Sequence, residues 1–190
     1  MDIIDLLDNG FAWTADRIRV VRTDGMHDAT PCAAWDVRTL LNHTLGTIDV
    51  MAWAVAGDHV LTEAGAHALA TQDRLGDDDP AAAFGVRVDQ ALKEWRSPGA
   101  LDRACATELG SIPARSAAGV SLLEVVVHGW DIGRATGEDV PIPADLAEPV
   151  FAFARQWPPV EMRRGVMYAP AVDGGDTPSD RLLRYLGRTP

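Results

Sequence analysis

Apolar residues recur at three- and four-residue steps along most of this 190-residue chain. That spacing places them on one face of an α-helix, so the pattern predicts a largely helical protein. The flanking residues agree, since Asp36 precedes one apolar run as an N-cap and Gly57 follows it as a stop. Six helices are predicted, at about 3–22, 37–56, 80–97, 116–136, 143–157 and 179–186.

The connections between these helices are predicted from glycine and proline. Residues 101–114 contain Gly110 and Pro113, so we expect a loop there with at most a short extended piece. The Pro158–Pro159 pair is expected to end the fifth helix. Four helices of comparable length favour an all-α helical bundle, and an irregular all-α domain is the alternative.

The charge balance limits the partners of this chain. Acidic residues outnumber basic ones by 28 to 17, and the net charge is -11. Binding to nucleic acid or to an anionic membrane needs clustered Lys and Arg, so we predict neither. The longest strongly apolar stretch, 122–127, is too short to span a bilayer. The two cysteines, Cys32 and Cys105, form no metal-binding spacing, and so few cysteines are typical of the reducing cytoplasm, where we place the protein.

The predicted fourth helix carries a stripe of polar residues. Glu124 stands between two leucines and three valines, and such a carboxylate costs several kcal/mol unless it is paired, hydrogen-bonded or metal-bound. His128 lies four residues further on, on the same helical face, and Ser121 and Asp131 extend that face. The stripe lacks the Lys, Arg and Gln that usually accompany acids on a solvent-exposed face.

A Glu and a His one turn apart can bind the same cation, but a third ligand must come from a facing helix. His43 of the second helix is the candidate, because its neighbours on that flank are small. Two imidazoles and a carboxylate suit a first-row divalent ion, and they leave a fourth position open for water or substrate. Spacing alone also allows His43 to be an ordinary histidine, and Glu124 to pair with Arg38 or Arg134.

Asp131 has two interpretations of equal weight. It holds a ligand imidazole in the correct tautomer, or it caps or bridges locally. A direct ligand role is less favoured. We also expect Trp35, Trp53, Trp95 and Trp130 to be core residues rather than a platform for a ligand.

Several segments of the chain resemble a known family. They are TPCAAWDVR at 30–38 with LLNH at 40–43, EVVVHGWD at 124–131 with ATG at 135–137, and DRLL at 180–183 with LGRTP at 186–190. In combination they resemble the metal-binding domain of the mycothiol-dependent maleylpyruvate isomerases, within the DinB-like (YfiT-like) superfamily of thiol-dependent metalloenzymes. The resemblance covers almost the whole chain.

The resemblance implies a DinB-like, up-down-down-up four-helix bundle over residues 1–140. A C-terminal helical extension over 141–190 is expected to pack on it in a single domain, although the isomerases carry an additional C-terminal domain. The resemblance also implies a metal triad of His43, Glu124 and His128. Zinc is the expected ion, with nickel or iron as alternatives, and mycothiol is the expected co-substrate.

The leading hypothesis is therefore a metal-dependent enzyme of thiol chemistry, a transferase or isomerase that acts on a small electrophilic substrate. The first alternative is a hydrolase that uses a metal-bound hydroxide, with Asp131 as the catalytic general base. The second is a non-enzymatic metal-binding module. Related bundles occur as monomers and as homodimers, so both states are considered.

Overall fold

The computed structural model describes residues 1–33, 35–62, 65, 68–69, 71–157, 160 and 169–190. These residues include six α-helices: α1 Ile3–Ile18, α2 Val37–Ala56, α3 Pro80–Trp95, α4 Ala114–Ala135, α5 Ala144–Gln156 and α6 Pro178–Tyr185. Single 3-10 turns lie at Thr23–Gly25 and Ala100–Asp102. Two short strands, β1 Ala104–Thr107 and β2 Gly110–Pro113, pair in an antiparallel hairpin. The predicted all-α class is confirmed.

The helix ends are set by capping residues of the types that the sequence indicates. Asp2 caps α1 in a capping box, Asp36 caps α2, and Asp79 caps α3 just before a first-turn proline. At the end of α2, Gly57 takes a left-handed conformation with φ of 93°, which a residue with a Cβ rarely adopts. Helix α1 ends at Ile18, four residues before the predicted limit.

Helices α1 and α4 run in the same direction. Gly10 lies against Leu122, and one turn later the Thr14 hydroxyl donates to the Val125 carbonyl at 3.0 Å. The approach is close near the end of α4, because a Cβ added at Gly129 would lie 2.5 Å from Thr14 Oγ1. Glycine is therefore required beside His128 for this packing.

Helices α2 and α3 both run opposite to that pair. Helix α3 is antiparallel to α1, since Arg96 at its end pairs with Asp8, whereas the Phe84 ring, nearer its start, lies 6.4 Å from Phe11. In contrast, α2 and α3 are parallel. The Arg87 side chain donates to Asp49 at 3.3 Å, and the residues that follow each of them, as far as Ala56 and Glu94, line the same groove. Their long connection, 57–79, makes the parallel arrangement feasible, and the predicted up-down-down-up order of the four helices is confirmed.

The chain between α3 and α4 differs in detail from the predicted loop. Residues 104–113 form the β1–β2 hairpin, in which Cys105 is fully buried. Leu61 N donates to the Ala106 carbonyl at 2.9 Å, so the connection that follows α2 is attached to the edge of β1. The extended segment is longer than periodicity indicates, because two four-residue strands are too short to show a clear alternation of apolar and polar residues.

The prediction that four tryptophans are core residues is wrong at Trp53. The Trp95 and Trp130 side chains are buried, whereas Trp53 is 45% exposed. The buried positions of α2 include Ile48, Ala52 and Val55, and residue 53 falls outside that arc of the helix. Trp35 is only half-buried.

Contacts within the chain define two compact units, Met1–Gly137 and Glu138–Pro190. In the second unit α5 packs on α6, and the Phe151 and Tyr185 rings lie 5.5 Å apart. The division into 1–140 and 141–190, and the single-domain organisation, stay predictions. Pro158 and Pro159 lie outside the described residues. Across the described part of the chain, no helix is both long and apolar enough to cross a membrane.

Replacing Asp36 with alanine is expected to lower the free energy of unfolding by about 1 kcal/mol, because α2 loses its N-cap acceptor for Thr39 N. Partial burial opposes ionisation of Asp36, but hydrogen bonds with Thr39 and His27 outweigh it and lower its pKa from 3.8 to about 2. The carboxylate therefore stabilises the fold above its unfolded pKa, and that contribution is lost as the pH falls toward 2.

Urea unfolding of Asp36→Ala and the wild type, from neutral pH down to about pH 3, measures this contribution. The difference in the free energy of unfolding between the two proteins should be largest at neutral pH and should decrease as the pH falls toward 3. A difference that stays constant over this range would contradict the assigned role of the carboxylate.

Candidate metal centre

The packing of the bundle brings one face of α2 against one face of α4. Next to His43 on α2, the Asn42 side chain accepts hydrogen bonds from Arg74 N at 2.7 Å and Leu75 N at 2.8 Å. Its amide nitrogen donates to Asp73, which also pairs with Arg38 at 2.8 Å. These bonds fix the α2–α3 connection to the helix turn that carries His43.

Three of the predicted site residues meet at this helix pair. Glu124 Oε2 lies 3.2 Å from His43 Nε2 and 3.1 Å from His128 Nε2. The imidazole rings of the two histidines are perpendicular, with centroids 5.0 Å apart. Both histidines are buried, and the Glu124 side chain is 18% exposed. One donor atom from each of the three residues lies within 4.8 Å of the other two.

These separations fit a shared divalent ion. Metal–nitrogen and metal–oxygen bonds of about 2.0–2.2 Å in a tetrahedral site place neighbouring donor atoms about 3.3 Å apart. The two distances to Glu124 Oε2, 3.1 and 3.2 Å, are close to that value. The donor set of two imidazoles and a carboxylate is also one that first-row divalent ions favour. The residues present therefore fit a metal ion, which would be bound by three donor atoms of the protein.

His128 is held between two carboxylates. Its Nε2 faces Glu124, and its Nδ1 lies 3.1 Å from Oδ2 of the fully buried Asp131. Burial by itself would lower the pKa of His128, but hydrogen bonds to Asp131 and Glu124 outweigh it and raise the pKa. When the ring is neutral, a proton on Nδ1 toward Asp131 would leave the Nε2 lone pair directed to the centre, which is the form that an ion requires.

His43 has a different environment. Burial is the main reason that its pKa is lowered, and the nearby His128 adds to this, against the hydrogen bond to Glu124. Its Nδ1 is buried and has no hydrogen-bond partner among the described residues. Glu124 shows the complementary effect, since burial alone would raise its pKa but the bonds with His128 and His43 lower it. The cluster thus pairs an ionised carboxylate with a neutral His43.

The remaining sequence expectations have different outcomes. Ser121 is fully buried on the same face of α4. Of the two arginines considered as partners of Glu124, Arg38 pairs with Asp73, and Arg134 lies over the Trp130 ring at 5.8 Å. Asp131 contacts the His128 edge that faces away from Glu124, which favours the tautomer-holding interpretation over local capping. Its role stays a prediction.

Trp35 is the residue of this centre that sequence reasoning missed. Its ring centroid lies 4.5 Å from that of His43 and 5.9 Å from that of His128. The expectation of a core role was based on residue type alone. The signal that was available is position, because Trp35 directly precedes the N-cap of the helix that carries His43.

Comparison with known proteins places the chain in a family. The sequence model of the mycothiol maleylpyruvate isomerase N-terminal domain matches residues 7–133. The chain belongs to this family. The four predicted site residues, His43, Glu124, His128 and Asp131, lie inside the matched region, so the family assignment and the geometry concern the same part of the chain.

Relatives of this mycothiol maleylpyruvate isomerase family member include two uncharacterized proteins of Mycobacterium tuberculosis, from strains CDC 1551 / Oshkosh and ATCC 25618 / H37Rv. Each is 26% identical over 178 residues, which cover 89% of this chain and 88% of the relative. Similar solved structures are crystal structures of the mycothiol-dependent maleylpyruvate isomerase and of its histidine-to-alanine mutant. Their TM-scores are 0.60 and 0.62, with 16% and 15% identity, 87% of this chain covered and 71% of theirs. The structural likeness establishes the shared fold.

Proposed function

We propose that this protein is a divalent-metal-dependent enzyme that activates a low-molecular-weight thiol, mycothiol, for addition to a small electrophilic substrate. The observation that carries the proposal is the convergence of two imidazole nitrogens and one carboxylate oxygen, from α2 and α4, at separations suited to one ion. The reaction is of the transferase or isomerase type.

Each residue of the centre has a distinct part in the proposal. His43 and His128 would bind the ion through Nε2, and Glu124 would bind it through a carboxylate oxygen. Glu124 also balances the charge of the ion in a site that is otherwise poor in water. Asp131 is a positioning residue, because its contact with Nδ1 keeps His128 in the tautomer that leaves Nε2 free to bind.

Three protein donors leave a four-coordinate ion with one further position. A divalent cation held by His43, Glu124 and His128 would supply Lewis acidity, which would lower the pKa of an entering thiol and favour its thiolate at neutral pH. Glu124 is the least buried of the three donors, so we place the approach to the centre on its side. Both imidazoles are buried, so solvent has little access to the centre from the side of the two histidines.

Mycothiol is proposed as the thiol because the solved structures with this fold are described as mycothiol-dependent maleylpyruvate isomerase. Zinc is the proposed ion, with nickel or iron as alternatives, since the mixed nitrogen and oxygen donors suit all three. Cys32 and Cys105 are not joined in a disulfide, which supports the proposed cytoplasmic location.

The experiment is a thiol-transfer assay with the metal-loaded protein. Mycothiol binding and its conjugation to electrophiles, maleylpyruvate among them, are measured with the loaded protein and with protein stripped by a chelator. We expect the metal-loaded protein to conjugate mycothiol to an electrophile and the stripped protein to lose this activity. If the loaded protein neither binds mycothiol nor accelerates its addition to any electrophile tested, the proposal is wrong.

The same assay separates the two alternatives. Metal-dependent cleavage of an ester or amide without a thiol would support the hydrolase. The position of Asp131 disfavours that reading, because it is fully buried on the Nδ1 edge of His128 and not beside Glu124. Metal binding with no activity toward either substrate class would support a non-enzymatic module.

Metal affinity is expected to fall as the solution becomes more acidic. Both imidazoles must be neutral to bind an ion, so protons compete with the metal at His43 and His128. Competition titration with a chelator of known pH dependence measures the affinity across the series. An affinity that is independent of pH down to about pH 5 would contradict ligation by two histidines.

A further inference from the structure

The two imidazoles of the metal centre are held by different means. His128 has a partner at each ring nitrogen, Glu124 at Nε2 and Asp131 at Nδ1. His43 has Glu124 at Nε2, but its buried Nδ1 has no hydrogen-bond partner within the described part of the chain. A single bond at one nitrogen leaves the ring free to tilt about its long axis. Another contact must therefore fix the plane of His43.

The Trp35 indole supplies that contact. Its centroid lies 4.5 Å from the His43 centroid, and the two ring planes differ by 37°. The two rings are thus tilted against each other in close contact, at the short end of the centroid separations over which aromatic pairs attract one another. The indole lies further from His128, at 5.9 Å and 53°, so its main contact is with the imidazole that lacks an Nδ1 partner.

The backbone on both sides of Trp35 is fixed independently of any ligand. Trp35 N donates to the Cys32 carbonyl at 2.8 Å, and the Thr30 hydroxyl donates to the Trp35 carbonyl at 2.8 Å. The next residue, Asp36, bridges to Ala29 and caps α2. These bonds hold the loop against the start of α2, so the fold itself fixes the backbone of Trp35, eight residues before His43.

We propose that Trp35 is the positioning residue of His43: it fixes the imidazole plane by stacking and covers that side of the metal centre. The inference rests on the proposed function, since it concerns the same ion. The face of an indole is electron-rich, so the contact also strengthens when the imidazole gains positive character on binding a cation. Trp35 thus does for His43 by stacking what Asp131 does for His128 by hydrogen bonding.

The test compares the Zn²⁺ affinities of Trp35→Leu, Trp35→Phe and the wild type by chelator competition. Loss of an outer partner of a metal-binding histidine costs about 10–100-fold in affinity, and we expect Trp35→Leu to lose about tenfold or more. Trp35→Phe keeps a stacking ring and should stay within about threefold of the wild type. Trp53→Leu, at the exposed far end of α2, is the matched control and should leave affinity unchanged.

A spectroscopic readout keeps the inference testable if Trp35→Leu does not fold. Binding of Co²⁺ should quench tryptophan fluorescence, and Trp35→Phe should remove the most strongly quenched component while Trp53→Leu retains it. The inference about Trp35 would be wrong if Trp35→Leu bound Zn²⁺ as tightly as the wild type, or if quenching were unchanged in Trp35→Phe. Neither result would contradict the proposed function. A wild-type protein that binds no metal would overturn it together with the proposed function.

Discussion

His43→Ala is expected to lower the affinity for Zn²⁺ by more than ~100-fold, beyond the loss that outer partners of metal ligands cause. The variant retains only Glu124 and His128, which are both on α4, and loses the single donor that α2 contributes. The bundle should remain folded, because its core is apolar and extends far beyond this site. Leu40, Leu41 and Leu45, for example, are fully buried on the same helix. Chelator competition and circular dichroism measure the two expectations on the same samples.

The matched control is His59→Ala. His59 lies just beyond the opposite end of α2, beside Trp53 at 6.2 Å between ring centroids, so its removal takes away an imidazole without changing the centre. It should bind Zn²⁺ as the wild type does. If His43→Ala binds Zn²⁺ with unchanged affinity, His43 is not a ligand of the metal. A loss of helical signal in that variant would instead show that the buried pair with Glu124 is needed for folding.

Asp131→Asn is expected to weaken Zn²⁺ binding by about 10–100-fold. The carboxylate at 3.1 Å from His128 Nδ1 stabilises the tautomer with the proton on that nitrogen, and an amide can offer it either an oxygen or an N–H group. Because Asp131 is fully buried, the substitution also removes a charge that has no access to water. Both effects reach His128 Nε2, the nitrogen proposed to bind the metal, through the imidazole ring.

The same variant separates two roles for Asp131. A positioning residue changes metal affinity, and its loss is matched by a shift in the visible spectrum of the Co²⁺-loaded protein. A general base of a hydrolytic reaction would leave affinity and spectrum unchanged and would lower only a metal-dependent hydrolysis. Wild-type affinity with lost hydrolysis would therefore favour the hydrolase over the thiol enzyme. Ser179→Ala, in the C-terminal unit, is a control for removal of a buried polar group elsewhere.

The pairing of Glu124 with His128 could be predicted because it depends on local geometry. Two residues four apart on a helix share a face whatever the rest of the fold does. The position of Glu124 among leucines and valines also indicated burial, since an exposed face would carry other charges. The helix limits followed for the same reason, because caps such as Asp36 and Gly57 act within one turn.

The placement of His43 needed more than periodicity. Spacing identified it as a candidate, but its approach to Glu124 depends on the antiparallel contact of α2 with α4. That contact joins residues 81 positions apart, which no local pattern can specify. The resemblance to the isomerase family supplied this information, and the structure confirms that His43 and Glu124 meet.

Two features could not be predicted from local pattern. One is the attachment of Leu61 to Ala106 at the edge of β1, which joins residues 45 positions apart and leaves no periodic signal in either segment. Trp35 is an aromatic residue of ordinary core type, and only the tertiary placement of His43 beneath its ring gives it a further role. Both cases involve partners that lie in different elements of the chain.

Anomalous diffraction from a crystal of the Zn²⁺-loaded protein tests the central claim most directly. We predict one zinc peak per chain, about 2.0–2.2 Å from His43 Nε2, His128 Nε2 and a Glu124 oxygen, with one position not filled by protein. A peak that is absent from this point, or a fourth protein atom in the remaining position, would contradict a catalytic centre built from these three residues.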